Sequence, residues 1–474
     1  MRRSAIVTLP IVTLLVLALA AAPLAAKPKP AAVQPEVAAR ALDLAKRLLA
    51  IRSVRGPGNK TAETMQLARQ ELLAGGWPDS AIEVVPLDDT AYLIATWPGS
   101  DPKLKPLVIS GHMDVVEARP ADWQRDPFTP VVENGFLFGR GASDMKLDNA
   151  LGLSALIELR RKGHKPRRTI VVAYSGDEET TMATSQVIAK RLAGAEQVLN
   201  LDYDLNGVLD AKTGKPLYYS WQGAEKSYGD FELSVTNPGG HSSQPRSDNA
   251  INQLAGALLR IGQYRFPAEA SALTMAYFAQ AAKLEGDPAL AGAMREFAAN
   301  PADPQAVAAL QGDVEANSLI ATTCVVTQIE GGHAVNALPQ RATANINCRI
   351  FPGHSRAEVM AELRKVAAEP ALTVRDVSEG VTESPASALR NDLTGALDRA
   401  IAKIHPSLPI VPGMSKGASD CMWYRAGGTD CYIVSALFLK PDDYRSHGLN
   451  ERAPVASIAP AITFYMSLFS DLSK

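Results

Sequence analysis

The chain has 474 residues, 46% of them hydrophobic and 21% charged, enough apolar material for two cored domains. Its 48 basic residues against 50 acidic ones leave a net charge of −2, which excludes a broad basic surface for nucleic acid. A small substrate is the expectation that remains.

Residues 1–26 open on Arg2 and Arg3, continue as an apolar run and end on Ala25 and Ala26. This is the layout of a secretory signal and predicts export, periplasmic or secreted. The run from Ala5 to Ala26 also approaches the roughly 20 residues a spanning helix needs, so an uncleaved N-terminal membrane anchor is the alternative. Pro10 and the closing Ala cluster suit cleavage better. Residues 27–35, rich in Lys, Pro and Ala, read as a linker, and nothing beyond them reads as apolar enough to cross a bilayer.

Apolar residues recur at helical spacing in "PEVAARALDLAKRLLAI" and "TAETMQLARQELLAGG", the second closing on a Gly pair able to take the left-handed conformation. "AIEVVPL", "AYLIATW" and "PLVISGHMDVV" then read as strands, "NALGLSALIELRRKG" as a helix and "RTIVVAYSGDEE" as another strand. The alternation predicts an α/β sheet covered on both faces over residues 36–222. Residues 223–383 differ. There "YGDFELSVTN", "INQLAGALLRIG", "TCVVTQIEGG", "QRATANINCRI", "SRAEVMAELRKVAAE" and "ALTVRDV" order as β-α-β-β-α-β, an inserted ferredoxin-like α+β domain. Within it, residues from about 266 to 319 are Ala-rich with helical period, an insertion inside the insertion. "NDLTGALDRAIAKI" and "DCYIVSALF" resume the helix and strand rhythm, so residues 384–474 complete the first domain. No CxxC unit joins Cys324, Cys348, Cys421 and Cys431, which argues against a Cys-based zinc site and for core thiols. Cys324 and Cys348 lie symmetrically about the loop near Asn336, so these two could instead pair across a hairpin.

Chemistry-bearing residues collect at the predicted strand exits. The branched apolar strand in "VISGHMDVV" stops on His112 and Asp114. "GASDMKLDNA" sets Asp144 in a Gly-rich turn before a helix, "YSGDEET" sets Asp177, Glu178 and Glu179 at a strand end, and "LNLDYD" sets Asp202 and Asp204 at another. "YRSHGLNER" holds His447 in a late loop. In a doubly wound sheet such exits share one edge, so residues far apart in the chain converge there. Singly, each piece has a plain structural reading: a hydrogen-bonded strand-end His, a turn Asp, a solvated acidic turn. Together they make an N/O donor set that suits zinc, with cobalt or manganese as substitutes. Two adjacent Glu residues after an apolar strand also repel each other unless cations or protons compensate.

Six motifs, "SGHMDVV", "GRGASDMK", "SGDEE", "GGHSSQP", "NALPQRATANINCRI" and "SHGLNER", follow one another over essentially the whole mature chain. Their set and order resemble a family of dinuclear-zinc peptidases and deacylases. It includes carboxypeptidase G, succinyl-diaminopimelate desuccinylase, acetylornithine deacetylase, aminoacylase and the carnosinase-like dipeptidases. The resemblance implies a zinc-exopeptidase-type mixed sheet flanked by helices, with the inserted domain serving as a lid and dimerisation domain. It implies two Zn2+ per chain, one held by His112, Asp144 and Asp202 and the other by Asp144, Glu179 and His447. Asp114 then orients His112, Glu178 is the general base, and Asp144–Met145 is a cis peptide. From the lid, Arg349 grips the substrate carboxylate, while His241 and Asn336 meet the substrate and stabilise the oxyanion, His241 reaching the site across a homodimer or, where extra lid structure replaces the second subunit as in the family's monomeric dipeptidases, within one chain.

Outside that resemblance Asn336 reads equally as a turn former and Arg349 as a surface charge. His164, His333, His354 and His405 read as structural. Two positions depart from the family pattern. Leu147 stands where Gly usually follows the "DMK" run, and Asp202 stands where the carboxypeptidases and deacylases usually have Glu and the aminopeptidases and dipeptidases Asp. Asp204 is the alternative ligand. The implied activity is that of a zinc exopeptidase, of carboxypeptidase or dipeptidase type, acting on short peptides with a free C-terminal carboxylate. An N-acyl amino acid deacylase would use the same catalytic residues. An inactive metal-binding homologue would have lost a ligand or Glu178, and none is missing.

Overall fold

A computed structural model of the chain describes residues 33–203 and 205–474. The signal or anchor reading of the leader, most of the linker, and Asp204 lie outside those residues. The predicted apolar strands join a ten-stranded mixed sheet among the described residues. At its centre Leu107–His112 runs parallel to Ile170–Ser175 on one side and Gln197–Asn200 on the other, so three strands end at one edge. Side chains alternate along each strand. Leu107 and Ile109 enter a core shared with helices Pro35–Leu49, Lys146–Arg161 and Ile458–Leu472, while Val108 enters a second core with helices Ala183–Arg191 and Cys421–Ala426. Both faces are covered, as continuous apolar strands require. Helix Thr61–Ala74 closes on Gly76, whose φ of 91° is the left-handed turn expected of the Gly pair. The stretch Val455–Leu472 is long and apolar enough by composition to cross a membrane, which the sequence reading did not expect. Half of it is buried, and its helix packs on Lys146–Arg161 and Asn391–Ile404 as a core element.

A second, antiparallel sheet orders Thr323–Gly331, Arg341–Ile350, Ser227–Thr236 and Leu372–Asp376. Helices Ala250–Gln263 and Arg356–Ala367 cover it and share a separate core with Phe231, Leu233 and Ile346. Along the chain this is the β-α-β-β-α-β order expected. A single residue, Lys226, separates the large-sheet strand Pro216–Glu225 from Ser227–Thr236. Its buried ammonium donates to the Ala321 carbonyl at 2.8 Å and to Thr323 Oγ1 at 3.0 Å, tying two of the crossings between the sheets.

The inner insertion forms helices Ala272–Ala281, Pro288–Ala299, Pro304–Gly312 and Val314–Ile320. They start on the oxygen-bearing caps Ser271, Asp287, Asp303 and Asp313, two of them with Pro in the first turn. Their placement corrects their assignment to the lid. Ala272–Ala281 lies against Ile410–Ser415 of the large sheet, and Leu273, Phe278 and Phe297 join the large core rather than the small one. Two helices already cover the small sheet, so the apolar faces of the insertion find their partner on the large one. The cysteines are paired, Cys324 with Cys348 and Cys421 with Cys431, which corrects the reading of core thiols. The first pair faces across adjacent strands in register, the hairpin arrangement that the symmetric spacing allowed.

Candidate functional site

Three parallel strands deliver most of the site. Leu107–His112 ends on His112, Ile170–Ser175 leads into Asp177, Glu178 and Glu179, and Gln197–Asn200 leads to Asp202. Asp144 arrives on the turn before helix Lys146–Arg161, with a cis peptide between Asp144 and Met145, and His447 comes from the loop before Arg452–Pro454.

These groups meet. His112 Nε2 lies 3.0 Å from Asp144 Oδ1 and 4.0 Å from Asp202 Oδ1. His447 Nε2 lies 3.2 Å from Asp144 Oδ2 and 3.0 Å from Glu179 Oε2. Asp144 thus turns one oxygen toward each imidazole. The trios His112, Asp144, Asp202 and Asp144, Glu179, His447 each offer ligand atoms within 4.8 Å of one another, as does His112, Glu178, Glu179. Such N/O trios fit divalent zinc.

Asp114 sits differently from the expectation of a simple carboxylate–imidazole pair. The atom nearest His112 Nδ1 is the Asp114 backbone carbonyl at 3.0 Å, with the carboxylate at 3.5 Å. The carboxylate accepts instead from the backbone N–H groups of Glu178 at 3.1 Å and Glu179 at 3.0 Å. One residue therefore orients the imidazole and fixes the turn that carries both glutamates.

Electrostatics follow from burial and crowding. Burial pushes the Glu178 carboxyl well up, with His112 opposing and Glu179 and Asp202 reinforcing. Burial and the Asp144 charge likewise raise Asp202 and Glu179. Burial resists charge on His112, yet its contacts with Asp114 and Asp144 lift its ring well above the usual value. Contacts with Asp144 and Glu179 raise His447 to about 10. Burial also resists charge on Asp144, but its bonds to both imidazoles hold it below the usual carboxylate range. The cluster carries more acid than its own cations can balance, which divalent ions at the same donors would relieve.

Several supporting residues were not singled out from the sequence. Buried Glu451 accepts from Arg140 Nη1 at 2.6 Å and from the backbone N–H groups of Gly141, Ser143 and Asp144, so it shapes the turn that presents Asp144. Asp420 accepts from Ser175 Oγ at 2.7 Å just before the acidic turn. Lys146 buries its ammonium on the carbonyls of Leu48 and Ile51, at 3.0 and 2.7 Å. Asp177 proves structural, accepting from the backbone N–H groups of Ala183 and Thr184. His354 pairs with Glu269, His164 with Ser473, and His405 packs on Phe438, away from the cluster.

A cavity of about 770 Å3 opens over the acids and is lined from the other sheet by Arg349, Tyr228 and Asp230. Arg349 and Tyr228 are cross-strand partners, and the guanidinium sits 4.9 Å from the phenol ring centre while donating to the Lys416 carbonyl at 3.3 Å. His241 and Asn336 are not brought to this cavity. Both are exposed on the short pairing of Gly240–His241 with Ala337–Leu338, where the Asn336 carbonyl accepts from Ser242 N at 3.1 Å.

The model of peptidase family M20/M25/M40 matches residues 108–471. The N-fatty-acyl-amino acid synthase/hydrolase PM20D1.1 of Danio rerio is 28% identical over 386 residues, 79% of this chain and 73% of that protein. The probable carboxypeptidase S-like 2 of Dictyostelium discoideum is 25% identical over 393 residues, 81% of this chain and 74% of that protein. Among solved structures, the M20 family metallo-carboxypeptidase Sso-CP2 of Sulfolobus solfataricus superposes with a TM-score of 0.67 at 20% identity, covering 91% of this chain and 99% of that one. The chain belongs to peptidase family M20/M25/M40 and is a hydrolase of peptide or amide bonds.

Proposed function

We propose that the protein is an exported, zinc-dependent exopeptidase that cleaves the amide bond beside a free C-terminal carboxylate in short peptides. One observation carries the reading: Arg349 from one sheet and Asp144, Glu178, Glu179, Asp202 and His447 from the other line a single cavity, with buried His112 against Asp144 behind it. His112, Asp144 and Asp202 would hold one Zn2+, and Asp144, Glu179 and His447 the other, with Co2+ or Mn2+ able to substitute. Bound there, the metal ions would supply Lewis-acid polarisation of a carbonyl and a lowered pKa for the attacking water. Glu178 takes a proton from that water and passes it to the leaving amine as the C–N bond breaks. Asp114 keeps Glu178 and Glu179 on their turn through its two backbone contacts. Arg349 grips the C-terminal carboxylate with a planar two-point geometry that a lysine lacks. His241 and Asn336 serve the site of a second copy joined along Thr323–Gly331. That edge strand exposes Val325 and Ile329 and offers unpaired backbone groups. Two disulfides support export, since they persist in oxidising compartments.

The Danio rerio relative favours a second reading, in which an N-acyl amino acid replaces the peptide. It has the same amide next to the same carboxylate, and the two readings part only on the acyl side of the bond. Rates on dipeptides, their C-terminal amides and N-acetyl amino acids, measured with and without a chelator, test both. The expected result is hydrolysis of free-carboxylate substrates that the chelator abolishes. Equal rates on free and amidated ends, or full activity with chelator, overturn the proposal.

A further inference from the structure

Residues 377–381 lead the chain out of strand Leu372–Asp376, and Val377, Glu379, Gly380 and Val381 line the cavity over the acids. The start of this stretch belongs to the wall that carries Arg349. Val377 N donates to the Asp230 carbonyl at 2.9 Å, and Asp230 lies two residues along its strand from Tyr228, the ring on which Arg349 rests. The other end abuts the acidic turn. Gly380, at a φ of 67°, passes so near that a Cβ there would lie 3.2 Å from the carbonyl oxygen of Thr180, the residue after Glu179. The stretch therefore runs along the cavity from the proposed carboxylate anchor to the groups assigned to the amide.

Two carboxylates outside the acid cluster line that cavity, Asp230 and Glu379. Asp230 is already engaged, accepting from the Tyr228 hydroxyl and, at 3.0 Å each, from Asn345 Nδ2 and Asn347 Nδ2. Glu379 is exposed on the cavity wall, and its carboxylate has no ion pair or hydrogen bond among the described residues.

We propose that Glu379 receives a cationic side chain, of lysine or arginine type, on the residue whose carboxylate Arg349 holds. The inference rests on the exopeptidase reading above and applies equally to an N-acyl amino acid. In either substrate the α-carbon lies one bond from the carboxylate and one from the scissile nitrogen, so its side chain leaves the backbone in the interval that residues 377–381 span. Val377 and Val381 stand on either side of Glu379 in the chain and line the same cavity. A side chain with an apolar stem and a charged tip matches that wall, its methylenes on the valines and its cation on the carboxylate. An apolar side chain would leave Glu379 uncompensated near the substrate's own carboxylate, and an acidic one would add a further like charge.

The test compares glycyl-lysine with glycyl-norleucine and Nα-acetyl-lysine with Nα-acetyl-norleucine, pairs that differ by the side-chain ammonium, on the zinc-loaded full chain. kcat/KM should favour lysine by about fivefold, the upper range for a solvent-exposed ion pair, and by less at high salt. Glu379→Gln should bring that ratio to about one. Glu379→Lys should reverse the sign and favour glycyl-glutamate over glycyl-glutamine, which a misfolded chain would not do. A lysine-to-norleucine ratio near one in the parent, or one that Glu379→Gln keeps, overturns the proposal. So does an unmoved lysine ratio in Glu379→Gln alongside loss of a preference for free over acetylated amino ends, which would put the carboxylate on the acyl side of the bond. If neither series is cleaved, the exopeptidase reading itself fails, and titration calorimetry with free lysine against free norleucine decides Glu379 separately. Tighter binding of lysine that Glu379→Gln removes supports the site, and equal binding of the two in the parent removes it.

Discussion

Asp144 presents a different carboxylate oxygen to each of two imidazoles, so its loss should be felt by both trios. Asp144→Ala is expected to bring bound zinc from about two equivalents to near none by metal analysis. Glu178→Gln should keep its zinc and lower kcat by roughly 10²–10⁴-fold, the range for loss of a general base. Zinc lost alongside turnover in Glu178→Gln would make Glu178 a ligand, a role its position near His112 and Glu179 also allows. The residues that converge were legible because His, Asp and Glu directly after apolar strands mark strand exits, which share one sheet edge. Glu451 and Asp420 were not, because their partners are backbone amides and a hydroxyl from segments remote in sequence, and such pairing leaves no local pattern.

Lys226 is the whole link between one strand of the large sheet and one of the small. Burial, with Arg349 and Lys416 nearby, pulls its ammonium down to about 7 from the ordinary 10.5. Between those values the folded chain holds fewer protons here than the unfolded chain, so this group makes stability rise with pH, and below them its full cost is present. Lys226→Met should remove that slope, measured as the difference in denaturant midpoint between neutral pH and about two units above it. Equal slopes in parent and variant would show that the ammonium is not strained by its burial. At this scale the sequence was read well where periodicity decides, as in Leu107–His112 and Ala250–Gln263. It misplaced the inserted helices because an amphipathic pattern reports that a face is buried and says nothing of what buries it.

Across the whole molecule, two of the three lid residues assigned to substrate, His241 and Asn336, stand on the surface, away from the cavity that Arg349 lines. If a second copy supplies them, His241→Ala and Glu178→Ala chains, each inactive alone, should regain activity when mixed, since one site in the mixed dimer has both groups intact. A mixture as inactive as its parts would leave His241 without a role in trans. This question was out of reach of the sequence, because one chain's residues carry no mark of which copy they serve. Arg349 and the amide-cleaving acids ride on different sheets, so on their proposed roles the protein works as a caliper. On that reading the span between its jaws would be set at the crossing where Lys226 holds the carbonyl of Ala321, at residues that do not line the cavity. Selection for longer or shorter substrates would then act on the pivot, leaving every residue that touches the substrate unchanged.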